Sequence, residues 1–163
     1  MKLREAIFKD AEAVCEVHVA SVRELGREAY DEAQVQAWSS GRTPEDYPIE
    51  SDKCHFVVAE VDGQVRGFGE LRFEPGEHLE ADVDAEVRAM YVHPEVARQG
   101  VGSALLAELE RAGRDAGFER LGLWASRNAV PFYESHGYEH VTEHRHEFGG
   151  EVPGRAVEMR GVL

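Results

Sequence analysis

The sequence predicts an α+β domain in which helices flank a largely antiparallel central sheet. Helical and strand patterns alternate along all 163 residues without a repeat or a low-complexity segment. Two β-rich runs within 54–73 are joined by Asp62-Gly63, a dipeptide that supplies the positive φ angles of a tight hairpin turn. A chain of this length commonly forms one hydrophobic core, so we expect a single domain over residues 1–163.

The N-terminal part is predicted to contain one strand and two helices. Residues 2–6 suit a short strand, and a helix follows from Asp10, a potential N-cap, because apolar residues recur at helical spacing as far as Leu25. A second, shorter helix is predicted over 31–40. The turn-forming residues of 41–53 then indicate an irregular, exposed loop.

The rest of the chain alternates strands and helices that end at glycines. An acidic linker at 74–84 leads to a strand at 85–92, a glycine-rich turn, and a helix that Gly117 ends. The remaining predicted elements are a strand at 119–125, a short helix at 129–136 ended by Gly137, and a hairpin formed by 138–148 and 154–163.

The charge of the chain argues against a nucleic-acid partner. Asp and Glu number 32 against 18 Lys and Arg, which gives a net charge of -14. Such a surface repels phosphate backbones. The acidic residues are scattered along the chain, which is typical of a solvated acidic surface; adaptation to high salt is the alternative.

The cysteines and the apolar runs indicate a cytoplasmic protein. Cys15 and Cys54 are too few for a disulfide framework and form no C-x-x-C pair, so we expect buried free thiols. The N-terminus lacks the apolar core of a signal peptide, and no apolar run is long enough to cross a bilayer. We therefore expect no membrane association.

A glycine-rich turn precedes the helix that begins near residue 101. Gly100 and Gly102 would expose the free N–H groups and the positive dipole end of that helix, a combination that binds phosphate oxygens. The third glycine of the dinucleotide motif is replaced by Leu105, and no P-loop lysine follows. On these residues alone, an ordinary turn and a phosphate site are equally compatible.

The wider sequence resembles a known family. The stretches MYVHPEVARQGVGSALL, from Met90, and NAVPFYESHGY, from Asn128, are similar to the GCN5-related N-acetyltransferase (GNAT) family, which binds acetyl-CoA. The resemblance covers the whole chain and implies the GNAT (acyl-CoA N-acyltransferase) fold, with a mixed, mostly antiparallel sheet flanked by helices. The family motif aligns with ARQGVG at 97–102, where both glycines match and the usual polar first residue is replaced by Ala97.

The resemblance assigns residues to acetyl-CoA. The backbone amides around 98–103 would hold the pyrophosphate, the strand 89–92 would pair with pantetheine through its open backbone groups, and Asn128 would hydrogen-bond the cofactor near Tyr133. The full set is Met90, Tyr91, Val92, Arg98, Gln99, Gly100, Val101, Gly102, Ser103, Asn128 and Tyr133.

Two residues are candidates for the proton transfers that acetyl transfer to an amine requires. Tyr133, which the family places near the sulfur, could protonate the departing thiolate; the alternative is a buried ring with a locally bonded hydroxyl. Glu86 stands eleven positions before Ala97, the spacing of the base glutamate in the histone-acetylating branch of the family. Strand alternation puts it on one face with Met90 and Val92, but a solvated glutamate is equally compatible.

The acceptor site and the histidines are less specified. Tyr30 and Trp38 are candidate substrate contacts, although Trp38 also suits a core anchor. His144 and His146 can share a strand face with no cysteine nearby, which favours a polar sheet face or an edge of the substrate cleft, and we expect no metal.

The sequence thus predicts an acetyl-CoA-dependent N-acetyltransferase that acts on a primary amine of a small molecule or protein by direct attack in a ternary complex. A noncatalytic acyl-CoA-binding module and a structural protein are the alternatives. Family members commonly pair through the terminal hairpin, so a homodimer is expected.

Overall fold

The computed structural model describes residues 1–147 and 152–163, and it confirms the predicted α+β architecture. In the described chain, the strands are β1 (Lys2–Glu5), β2 (Cys54–Val61), β3 (Gln64–Arg72), β4 (Ala85–Val92), β5 (Arg120–Ser126), β6 (Glu139–Glu147) and β7 (Pro153–Val162). The helices are α1 (Ala11–Leu25), α2 (Glu32–Ser39), α3 (Val101–Asp115) and α4 (Val130–Ser135).

The strands form one mixed sheet in the order β1-β2-β3-β4-β5-β7-β6. Among the described strands, five of the pairings are antiparallel and only β4–β5 is parallel. That parallel pairing is restricted to Ala85 with Leu121 and Glu86 with Gly122. Beyond Glu86 the two strands diverge, and the divergence opens a gap in the middle of the sheet.

The two faces of the sheet carry different helices. Alternate residues of β2 show this, because Val57 belongs to a core cluster with α3, whereas Val58 belongs to a cluster with α1. On β3, glycine permits the close approach of α3: a Cβ at Gly67 would lie 3.0 Å from the side chains of Leu105 and Val101. We call these the α3 face and the α1 face.

The start of α1 differs from the prediction. Asp10 occupies the N-cap position, but its side chain does not cap the helix. A 3-10 turn, Phe8–Asp10, leads into α1, and the carboxylate of Asp10 accepts the N–H of Ile7 at 2.8 Å within that turn. Arg4 pairs with the same carboxylate at 2.8 Å and, by hydrogen bonding, holds the pKa of Asp10 below its usual value.

Other predicted turns and ends are confirmed. Asp62 and Gly63 have φ angles of 53° and 78°, as a tight hairpin turn requires. Gly117 and Gly137 follow α3 and α4 with φ angles of 86° and 88°. The predicted hairpin extended to position 148, which lies outside the described residues.

The two cysteines differ in burial, although both were expected to be buried. Cys15 and Cys54 are free; Cys54 is buried and its thiol donates to the carbonyl of Pro48 at 3.4 Å, whereas Cys15 is half-buried. Burial raises the pKa of the Cys54 thiol to about 11. Across 1–147 and 152–163, every helix falls short of the length and apolar content that a membrane span needs.

Candidate active site

The gap between β4 and β5 forms an open slot through the sheet. Its cavity volume is about 160 Å³. The lining comes from the end of α1 and the residue after it, from α2, from β4, from the start of α3, from the end of β5, and from α4 with the turn before it. The lining residues are Ser21, Val22, Leu25, Gly26, Trp38, Met90, Tyr91, Val92, Gly102, Ser126, Asn128, Ala129, Phe132 and Tyr133.

A glycine turn forms one end of this slot. Gly100 has a φ of 88° and serves as the N-cap residue of α3, a conformation that favours glycine. The amide of Ala104 donates to the carbonyl of Gly100 at 3.1 Å, which closes the first helical turn. The preceding amides therefore lie at a free helix N-terminus, where the helix dipole attracts an anion.

Gly102 keeps the slot open at this end. A Cβ built on Gly102 would contact the ring of Phe132 at 3.4 Å and a methyl of Val92 at 3.7 Å. A larger side chain would therefore enter the space between α3 and α4. The absence of a side chain here leaves the backbone amides accessible, as a phosphate site requires.

The other predicted residues of the turn have varied environments. Arg98 adopts a φ of 61° and its guanidinium donates to Glu28 at 3.0 Å, which ties the turn to the segment after α1. Ser103 Oγ lies 3.0 Å from Nε2 of His136. Val101 is buried in the α3-face core, so only its backbone can meet a ligand, and Gln99 Nε2 donates to the carbonyl of Glu95 at 3.4 Å.

Asn128 and Tyr133 lie at the opposite wall. Oδ1 of Asn128 is buried and accepts no hydrogen bond from the described residues, although the slot provides room for a donor. Such an acceptor suits an amide N–H of a ligand, since leaving it unpaired is costly. Tyr133 is buried, and burial raises the pKa of its hydroxyl, which keeps the phenol protonated.

These features fit acetyl-CoA. The free helix N-terminus suits the pyrophosphate, and the divergence beyond Glu86 leaves the β5 side of β4 open from Val87 to Val92 in the described sheet. An extended chain placed there can pair with the open backbone of β4. Asn128 would receive one of its amide donors, and the thioester it carries would reach Tyr133.

The three predicted residues of β4 divide between the two faces of the slot. Met90 and Val92 pack against the α3-face core. Tyr91 points to the α1 face, where its ring lies 4.1 Å from that of His18. Burial raises the pKa of Tyr91, and burial lowers the pKa of His18 to about 3. Both groups are therefore neutral near pH 7.

The predicted alignment of Glu86 with Met90 and Val92 is wrong. Leu71 pairs with Val87 and Glu70 pairs with Ala89, so Arg88 forms a β-bulge that no residue of β3 faces. The extra residue reverses the alternation, and Val87, Met90 and Val92 all belong to the α3-face core. Glu86 consequently faces the other side of the sheet.

Glu86 is not solvated either, because it is 1% exposed. Its Oε1 accepts the N–H of Gly76 at 3.0 Å, and its Oε2 lies 2.6 Å from Nε2 of His78. Arg88 approaches the same Oε2 at 3.9 Å. The carboxylate thus lies below His78 at the point where β4 and β5 separate.

Next to this point, the α1 face carries a cluster of polar and aromatic side chains. The ring of Trp124 lies 4.8 Å from that of His78 and stacks at 4.7 Å on that of His144. His144 Nε2 lies 2.7 Å from the fully buried Glu158. We call the surface formed by His78, Arg88, Trp124 and His144, on the face that α3 does not cover, the acceptor cleft.

The two predicted substrate contacts have different positions. Trp38 lines the slot, with Gly26 packed beneath its ring. Tyr30 is buried, and its hydroxyl donates to the carbonyl of Arg155 at 2.7 Å and accepts the N–H of Arg127 at 2.9 Å. Tyr30 therefore ties the segment before α2 to β5 and β7, and it lies outside the slot lining.

Three side chains lie as close together as the ligands of a metal ion. Donor atoms of Glu80, His144 and Glu158 lie within 4.8 Å of one another. The carboxylate of Glu158 already accepts the N–H groups of Glu80 and Ala81 at 2.7 to 3.0 Å, besides pairing with His144. These bonds account for the cluster without an ion, and the expectation of no metal stays a prediction.

Sequence reasoning missed several residues of both regions. Helical spacing predicts a buried stripe on α1 as far as Leu25, and the end of this stripe, formed by Ser21, Val22 and Leu25, also lines the slot. The acidic linker was treated as a connection, yet it supplies His78. A histidine within an acidic linker, ahead of the strand that carries Glu86, was the available signal.

Comparison with known protein families gives one match. A family model described as the acetyltransferase (GNAT) family matches residues 20–138, which include β2 to β5, both glycines of the turn, Asn128 and Tyr133. Among curated proteins, an uncharacterized N-acetyltransferase of Bacillus subtilis (strain 168), YuaI, is 29% identical over 150 residues, or 91% of this chain and 86% of the relative.

Solved structures share the fold. A GCN5-related N-acetyltransferase from Rhodopseudomonas palustris superposes with a TM-score of 0.84 at 24% identity, covering 99% of this chain and 95% of the other. A PaiA N-acetyltransferase from Thermoplasma acidophilum, solved in complex with coenzyme A, gives a TM-score of 0.74 at 21% identity, covering 99% and 98%. These matches confirm the predicted fold and the resemblance of the sequence to the GNAT family.

Proposed function

The chain belongs to the acetyltransferase (GNAT) family, and we propose that it transfers the acetyl group of acetyl-CoA to a primary amine of a small molecule or protein by direct attack in a ternary complex. Membership makes it an N-acetyltransferase. The single observation that carries the proposal for this chain is the slot between β4 and β5, which joins a free helix N-terminus to an unpaired acceptor on Asn128 and a protonated Tyr133.

The two ends of the slot predict the orientation in which acetyl-CoA binds. Its pyrophosphate would bind the amides of residues 98–103, near the end of β4 at Val92. Pantetheine would then run along β4 toward Glu86, where the two strands meet. The thioester would reach the middle of the sheet between Tyr133 and the acceptor cleft.

Acetyl-CoA supplies an activated acetyl thioester, and the residues of the chain move the protons. The nitrogen of the neutral acceptor amine attacks the carbonyl carbon, and the bond from carbon to sulfur breaks. Tyr133 donates its proton to the departing sulfur, and the nitrogen returns a proton to the phenolate. The acceptor must first lose one proton, because an ammonium has no lone pair.

The acceptor cleft supports an amine substrate that enters from the α1 face. Glu70 and Glu86 are buried carboxylates on this face, and burial raises the pKa of Glu70. Arg88 is exposed, and its guanidinium lies 3.9 Å from Glu86.

A thiol-release assay tests the proposal. The protein is incubated with acetyl-CoA and a panel of primary amines that includes polyamines, amino acids, aminoglycosides and peptides with free N-termini. We expect one class to accelerate free-thiol formation above the rate without amine, with a mass gain of one acetyl group on the amine. Tight binding of acetyl-CoA with no acceptor from any class would instead support the acyl-CoA-binding module, and failure to bind would leave a structural role.

The oligomeric state is predicted from the edge of the sheet. Within the described sheet, β6 is an edge strand that pairs only with β7. An unpaired edge can associate with a second copy. The homodimer therefore stays a prediction, as does the cytoplasmic location.

A further inference from the structure

We propose that His78 is the general base of the acetyl transfer and that Glu86 acts as a positioning residue that orients its imidazole and stabilises the imidazolium formed when the ring accepts a proton. The inference rests on the proposed function and assigns its missing proton acceptor. It replaces the direct role predicted for Glu86 by a role through His78.

The pairing of β4 with β5 determines where Glu86 and His78 lie. Glu86 and Gly122 form the last paired position before β4 and β5 diverge. Because the bulge at Arg88 turns Glu86 to the α1 face, its carboxylate lies under the acceptor cleft and not under α3. An acceptor that approaches the thioester from the cleft therefore passes the ring of His78.

Glu86 cannot receive the proton directly. It is 1% exposed, and each of its carboxylate oxygens already has a partner, the N–H of Gly76 on Oε1 and the ring of His78 on Oε2. An ammonium would have to displace His78 to reach it. The side chain of His78 is 28% exposed, so the imidazole is the accessible member of the pair.

The contacts of His78 fix which nitrogen accepts the proton. With Nε2 donating to Glu86 at 2.6 Å, the lone pair of the neutral ring lies on Nδ1. The rings of His78 and Trp124 meet in a T-shaped contact at 4.8 Å, which restricts rotation of the imidazole. A buried carboxylate that accepts one imidazole N–H stabilises the imidazolium formed at the other nitrogen.

Other charged groups face the pair from the surrounding strands. Arg88 of β4 lies 3.9 Å from Glu86 and offsets part of its charge. On β3, the pKa of Glu70 is raised mainly by burial and also by the charge of Glu86. From β6, the pKa of His146 is lowered by burial first and also by Arg88, Arg42 and His78, while Glu147 raises it. Glu86 remains the carboxylate that contacts the ring.

The proton balance is complete without another reagent. His78 Nδ1 takes one proton from the acceptor ammonium, which leaves a neutral amine and an imidazolium. The amine attacks the thioester, Tyr133 protonates the departing sulfur, and the second nitrogen proton restores the phenol. The imidazolium then releases its proton to water, so each turnover yields an acetylated amine, a thiol and one free proton.

Gly76 provides an independent way to disturb the geometry. A Cβ on Gly76 would lie 2.2 Å from Cε1 and 2.5 Å from Nδ1 of His78. Gly76 has no positive φ, so its backbone can accept alanine. Gly76→Ala should therefore push the ring from its position while keeping the N–H that Glu86 accepts.

The experiment measures turnover against pH for an amine that the thiol-release panel identifies, at saturating acetyl-CoA. His78→Gln should lower turnover about 100-fold or more and remove the fall in rate at low pH, since protonation of the base causes that fall. Gly76→Ala should act in the same direction. Glu86→Gln should move the low-pH fall to lower pH, because the imidazolium loses its partner charge. A base on Glu86 itself would lose the fall altogether.

His55→Gln is the matched control. His55 also pairs with a glutamate, Glu108, at 3.1 Å, but it lies on β2 away from the slot, so its rate and pH profile should be unchanged. Calorimetry with acetyl-CoA checks that each variant is folded. A His78→Gln variant with the wild-type rate and profile would overturn the proposal, and so would transfer of the effect to His144→Gln.

A second readout separates this inference from the proposed function. If no amine on the panel is acetylated, the proposed function fails. The ¹⁵N resonances of the His78 imidazole still report its hydrogen bond to Glu86 in that case. The ¹⁵N shifts should show the proton on Nε2 of His78 in the wild-type protein, where it donates to Glu86, and this tautomer preference should weaken in Glu86→Gln. The same ¹⁵N shifts in both proteins would show that Glu86 does not orient the ring, and the assignment would be wrong.

Discussion

The slot and the acceptor cleft are built in different ways. The slot relies on backbone: a free helix N-terminus, the open edge of β4 and a glycine without a side chain. The cleft relies on side chains from the segment before β4 and from β4, β5, β6 and β7, held by two buried glutamates. The difference indicates that the proposed cofactor site is encoded locally, whereas the proposed acceptor site depends on distant contacts.

The largest expected effect belongs to the hydroxyl of Tyr133 in the slot. Tyr133→Phe removes only that group, so turnover should fall about 10²- to 10⁴-fold, the usual loss for a general acid. The affinity for acetyl-CoA should change little, because the ring still packs beside Phe132 and Tyr138. Rates at saturating substrates, with calorimetry alongside, make the check; a variant with wild-type turnover would assign the acid elsewhere.

A side chain placed in the slot should affect binding before chemistry. Gly102→Val would fill the space beside Phe132 and block the amides, so acetyl-CoA should bind about 100-fold more weakly, the loss of roughly two charge-assisted hydrogen bonds. Gly102→Ala is the graded control, because its Cβ makes ordinary contacts at 3.4 Å and should weaken binding less. Equal affinities in calorimetry would remove the pyrophosphate from this turn.

Much of the slot could be predicted from sequence because its parts are close along the chain. Gly100 is the N-cap residue of α3 and Gly102 lies in its first turn, and Asn128 is five residues from Tyr133. Glu86 was placed on the wrong face because a bulge at Arg88 shifts the alternation, and a bulge depends on pairing with β3. His78 was missed because its carboxylate partner is eight residues away across a loop.

The smallest expected effect concerns His18, whose ring packs against Tyr91 on the α1 face. His18 has a pKa of about 3 in the fold, because of burial, against 6.5 for the free side chain. Below pH 6.5 the unfolded chain therefore binds more protons, and stability should fall by about 1.4 kcal/mol for each pH unit toward pH 3 from this residue alone.

Urea unfolding at about pH 7 and about pH 5.5 measures this contribution. His18→Phe should lose less stability between the two conditions than the wild-type protein, whereas replacing the exposed His140 by Gln should not alter the difference. If His18→Phe and the wild-type protein lose the same stability on acidification, His18 is not buried in its neutral form.

The division between slot and cleft can be mapped directly by backbone amide NMR during titration with coenzyme A. The account predicts large shifts for the amides of Gly100, Gly102, Ser103 and Asn128, with little change at Gly76 and Ala81, whose N–H groups stay on Glu86 and Glu158. An amine acceptor added afterwards should then move the second group. Coenzyme A that shifts Gly76 and Ala81 and leaves residues 100–103 unchanged would contradict the account.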